Sequence, residues 1–109
     1  MSCVNCNKCH RVATIDITGI ITLVNEPTDL RNEDRFCFFI PRSLSIPDIA
    51  SDTPVTISIN GAAVEVRDRF GNPMTINDIR GGLFYNGYYG TEGVAHVQVV
   101  NIPRCRCRV

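Results

Sequence analysis

The chain has 109 residues, with eleven basic side chains balanced by eleven acidic ones. That length holds one domain with a modest core, and the neutral balance argues against a nucleic-acid partner or an anionic membrane surface. No apolar run approaches the length that spans a bilayer, and the N-terminus has no apolar signal-peptide segment, so the expectation is a protein made in the cytoplasm.

Ten of the basic residues are arginine and only Lys8 is lysine. Arginine pairs carboxylates bidentately and tolerates interfaces better than lysine, which hints at packed protein surfaces. Six cysteines are many for a cytoplasmic chain of this size. Five lie at the two ends (Cys3, Cys6, Cys9, Cys105 and Cys107) and Cys37 stands alone in the middle. In a reducing compartment such residues read first as metal ligands or reactive thiols, then as disulfides.

Residues 1–11 form a polar arm with a cysteine at every third position and almost nothing to bury, so a partner has to order it. Val12 to Val24 predicts one or two strands, with Ala13, Ile15 and Ile17 alternating with Thr14, Asp16 and Thr18, and with Gly19 breaking the run as a bulge or corner. Asn25 to Asp34 is a polar loop carrying four acids, Glu33-Asp34 being the one adjacent pair. Phe36-Cys37-Phe38-Phe39-Ile40 is a dense apolar strand that Pro41 ends. Arg42 to Thr53 reads as an extended connector with one helical turn at Pro47 to Ala50.

The stretch from Pro54 to Asn101 is the organising unit. Val55 to Ile59 alternates, Asn60-Gly61 suits a two-residue type I′ turn, and Ala62 to Val66 runs back. Gly71-Asn72-Pro73 marks a second turn and Gly81-Gly82 a third, and Ala95 to Val99 is a last alternating strand. Gly87 and Gly90 also read as turn glycines, and His96 falls on the polar face of its strand. Beyond Pro103, residues 104–109 alternate arginine with cysteine, so an extended tail sets its arginines on one face and Cys105, Cys107 and Val109 on the other. The fold class is therefore all-β: a single small sandwich or barrel of hairpins over residues 12–103, with cysteine-bearing arms at both ends.

Cys6-Asn7-Lys8-Cys9-His10 fits the C-x-x-C-H pattern of haem c attachment, although haem c is loaded outside the cytoplasm. The same residues offer a zinc reading, with Cys3, Cys6, Cys9 and His10 as soft ligands and Cys105 and Cys107 completing a site where the termini meet. A third reading is cross-linking between subunits by thiols on extended arms. Cys37, between phenylalanines, reads as a small buried hydrophobe. No nucleophile motif or phosphate-binding loop occurs, so the expected function is non-enzymatic and needs no cofactor, zinc and then haem c being the alternatives. Phe84, Tyr85, Tyr88 and Tyr89 are aromatic candidates for an interface, or for stacking on bases or sugars.

Ile59-Asn60-Gly61-Ala62-Ala63-Val64, Val66-Arg67-Asp68, Gly71-Asn72-Pro73-Met74, Ile79-Arg80-Gly81-Gly82, Tyr88-Tyr89-Gly90-Thr91 and Val97 to Asn101 follow one another in a suggestive order. Over residues 54–101 this order resembles the small β modules of bacteriophage tail-fibre and other virion surface proteins. The resemblance implies a non-enzymatic, homo-oligomeric structural part: a capsid decoration (head) protein, or a tail or fibre component, partnered by capsid or tail subunits in the virion. The cysteine arms lie outside that pattern, and Leu83-Phe84 is a bulkier entry to the tyrosine strand than it has. A cross-linked bacterial surface or spore fibre subunit is the cellular counterpart of the same reading.

Overall fold

A computed structural model describes residues 9–101, apart from the Asn101 side chain. Seven strands form a closed barrel: β1 (His10–Ile15), β2 (Ile20–Leu23), β3 (Arg35–Phe39), β4 (Thr56–Ile59), β5 (Ala62–Arg67), β6 (Phe84–Gly90) and β7 (His96–Asn101). Around the barrel the order is β1-β2-β4-β5-β7-β6-β3. Three hairpins (β1–β2, β4–β5, β6–β7) supply antiparallel pairs, β3 lies antiparallel to β6, and the parallel pairs β2–β4, β5–β7 and β1–β3 complete the ring. Closure removes the exposed strand edges that an open sheet of this size would carry. Among the described residues there is no α-helix, and no helix long and apolar enough to cross a membrane.

Local chemistry sets the hairpins. Asn60 and Gly61 both take positive φ, 52° and 80°, so the type I′ turn forms and pairs Ile59 with Ala62. At the first corner the Asp16 carboxylate accepts from the Thr18 amide, the Thr18 hydroxyl and the Ile20 amide, which holds it below the usual carboxylate range, the hydroxyl bond contributing most. The Asp68 carboxylate likewise gathers the amides of Phe70 and Asn72 around Gly71-Asn72-Pro73. Gly81-Gly82 turns the chain into β6, with the Gly82 amide donating to the Ile40 carbonyl.

Inward side chains fill the barrel: Val12, Ile21, Phe36, Phe38, Ile57, Val64, Val66 and Val97 are almost wholly buried. Phe38 stacks on Tyr85 with centroids 5.0 Å apart. Met74, Ile76 and Ile79 are buried with them, Ile76 on a short 3-10 helix, Ile76–Asp78. Helical structure thus falls here and not at Pro47 to Ala50, which is irregular.

Three further expectations shift. A register slip between Val12 and Thr14 puts Val12 and Ile15 inside, and Ile17 falls in the turn after β1, 77% exposed, so Ala13, Ile15 and Ile17 do not share a face. Gly87 and Gly90 lie within β6 rather than in turns. His10 and Arg11, assigned above to the N-terminal arm, belong to β1; the rest of that arm before Cys9, and the tail from residue 102, lie outside the described residues.

Candidate functional site

β1 enters the barrel parallel to β3, with His10 opposite Phe38, which sets Cys9 beside Cys37. The two cysteines are joined by a disulfide with Cα atoms 4.5 Å apart. In this bond Cys9 has no thiolate to offer a metal or a haem vinyl group, and Cys37 is buried, as its phenylalanine neighbours imply, but as a half-cystine. Cys3, Cys6, Cys105 and Cys107 lie outside the described residues. The His10 ring stacks on Phe36, and its Nδ1 lies 3.0 Å from the Asn25 carbonyl, to which it donates. Among the described residues no three His, Cys, Asp or Glu side chains gather as a metal would require.

The same register continues across the sheet. Cys37 is opposite Asn86, and Asn86 is opposite Asn101. Cys9, just before β1, and Asn101, where β7 ends, therefore sit on one row with two strands between them, about 14 Å apart at the usual strand spacing. The described chain thus begins and ends on this row.

Next to it, on the barrel's outer face, runs the row of Arg11 opposite Phe39 and Phe39 opposite Phe84. Phe39 and Phe84 stack at 4.9 Å, with the Arg11 guanidinium 5.8 Å from the Phe39 ring centre. Tyr88 follows on the same face at 44% exposure, opposite Arg35 and Gln98. Phe84 and Tyr88 are thus outward, as an interface needs, and Tyr89 packs half-buried against the core. Tyr85 departs from the expectation because it is 2% exposed and its hydroxyl donates to the Asp78 carbonyl and accepts from the Arg80 amide. Burial raises its phenol above the ordinary range.

A groove of about 430 Å³ opens at the far end of β6 and β7. One wall is the loop before β3, stitched to the end of β6 and the residue after it by three bonds: the Glu33 amide to the Tyr89 carbonyl (2.7 Å), the Tyr89 amide to the Asp34 carbonyl (2.8 Å), and the Thr91 amide to Asn32 Oδ1 (3.0 Å). These bonds hold Glu33 at φ 72°, in the left-handed region. Tyr88, Tyr89 and Glu92 form another wall, and His96 and Gln98 the floor. The His96 Nδ1–H donates to the Val94 carbonyl (2.8 Å), and its ring occupies the space a side chain at Gly90 would need. Gln98 Nε2 donates to the Arg69 carbonyl.

Sequence reading missed Asn32, Glu33 and Glu92 as partners of the tyrosines, because the stitching bond from Thr91 to Asn32 spans 59 residues. The positive φ of Glu33 has no sequence signal, since glutamate does not favour it. A search with the chain finds no matching family model, no matching curated protein and no matching solved structure.

Proposed function

We propose that this chain is a non-enzymatic structural subunit that self-assembles through the outer face of its barrel and through its cysteine-bearing ends. The assembly is a virion surface, either a head decoration layer or a tail or fibre component. The observation that carries the reading is the shared row of Cys9, Cys37, Asn86 and Asn101, which places the first and last described residues beside the outward Phe84 and Tyr88. Ends that leave from one place can engage one neighbouring subunit together, and aromatic side chains are the residues interfaces favour. The Cys9–Cys37 bond supports thiol pairing, rather than metal ligation, as the use this chain makes of cysteine.

Sedimentation velocity over a hundredfold concentration range tests the reading. Oligomers that grow with concentration are expected. A species that stays monomeric throughout would contradict assembly, and one that co-sediments with bound zinc or haem would return the terminal cysteines to cofactor binding.

A further inference from the structure

The neutral chain is divided unevenly. Residues 9–101 hold all eleven acids and seven arginines, an excess of four negative charges, while the four remaining cations are Lys8, Arg104, Arg106 and Arg108. Part of the barrel's excess faces the groove at the far end of β6 and β7. Neither Glu33 nor Glu92 has a cationic partner within 4 Å among the described residues, where the ion pairs are Arg31–Asp29 and Arg67–Glu65. Arg35, opposite Tyr88 on β3, makes no ion pair with either glutamate.

From this we infer that the groove receives the arginine-bearing C-terminal segment, Arg104 to Arg108, of a second copy of the chain. Two carboxylates beside tyrosine rings are what a guanidinium recognises, by charge-assisted hydrogen bonds and by stacking on the ring face. The segment presents arginines at alternate positions, so its extended form carries all three on one face.

The direction of β7 favours a neighbour over the chain's own tail. β7 starts at the groove with His96 and ends at Asn101, so the tail departs from the opposite end. A tail turning back spends a four-residue turn on the reversal, which consumes Arg104. A neighbour's tail can offer all three arginines. Groove at one end and tail at the other make the contact heterologous, head to tail, and such contacts build rings or filaments according to whether the rotation closes. The inference rests on the assembly reading and specifies its polarity.

The test uses the full-length chain with Cys3, Cys6, Cys105 and Cys107 changed to serine, which keeps the Cys9–Cys37 bond and removes other covalent links. Sedimentation at low salt should show oligomers that weaken at 0.5 M salt, roughly two- to threefold shorter in screening range than 0.1 M. Glu33→Lys/Glu92→Lys should weaken association at least tenfold, and so should Arg104→Glu/Arg106→Glu/Arg108→Glu. Mixing the two charge-reversed variants should restore oligomers, because each groove then meets an opposite tail. Oligomers untouched by the groove substitutions would overturn the inference and leave the assembly reading standing. A monomeric serine background would overturn the inference, including the case in which the groove holds the chain's own tail. If the unsubstituted chain is also monomeric, the assembly reading falls with it.

Discussion

Cys9 and Cys37 clamp the barrel where it closes. β1 and β3 share only two register pairs, His10 with Phe38 and Arg11 with Phe39, against five between β3 and β6. The disulfide continues that short seam by one more position and closes a sequence separation of 28 residues. A cross-link of this span stabilises by about 3 kcal/mol, largely by restricting the unfolded chain. The Cys9→Ala/Cys37→Ala double variant should therefore melt at least about 10 °C lower in a thermal scan. A melting point unchanged from the parent would assign the seam's strength to strand pairing alone.

Gly87 faces the backbone of Gln98 at the irregular pairing between Asn86 and Gly87, where an added Cβ would collide with the Gln98 carbonyl and the Val99 Cα. Backbone cannot swing aside as a side-chain tip can. Gly87→Ala should cost about 3 kcal/mol or more, as strong core strain does. Urea titration gives the figure, and a loss under about 0.5 kcal/mol, the scale of ordinary surface changes, would mean that β6 and β7 separate easily there.

Tyr85 couples the barrel interior to the segment that caps it, through bonds to the Asp78 carbonyl and the Arg80 amide. Tyr85→Phe removes both and should cost about 1–3 kcal/mol at neutral pH. The sign of the pH effect follows from burial, which raises the folded-state pKa of the phenol. Its contribution is full below the unfolded value, about 10, and is lost as pH rises through the raised folded value. Urea midpoints from pH 7 to 11 should fall more steeply for the parent than for Tyr85→Phe. Parallel curves would exclude the phenol as the alkaline trigger.

Glu33 adopts a left-handed backbone that glutamate disfavours by about 1–2 kcal/mol and that three bonds between its loop and residues 89–91 maintain. Glycine relieves this strain but has more unfolded-state entropy to lose. Glu33→Gly should accordingly raise the stability of the monomeric barrel by about 0.5 kcal/mol, read from chemical denaturation of the serine background, while weakening its association. A destabilised barrel would make the Glu33 side chain part of the fold rather than of the groove.

What the sequence revealed was local. Asn60-Gly61, the Asp68 turn and the apolar Phe36 to Ile40 run carry their structure in adjacent residues, so hairpins and an all-β fold were legible. The barrel's seam was not, because β1 and β3 are parallel and separated by a long segment, and nothing near Cys9 announces Cys37. The aromatics of β6 alternate, but the sequence did not say which of them are inside. β6 keeps an unbroken register with β3, so Phe84 and Tyr88 face outward and Tyr85 inward, but which of the two faces is the core is set by the closed barrel and not by any neighbouring residue. The groove depends on the pairing of Glu33 with Tyr89, which no short-range pattern encodes.

Native mass spectrometry of the full-length chain, with and without reductant, tests the central claim most directly. The account predicts oligomers of this chain without bound metal, held partly by covalent links that reductant removes. A monomer carrying one zinc or one haem per chain, in either condition, would contradict it.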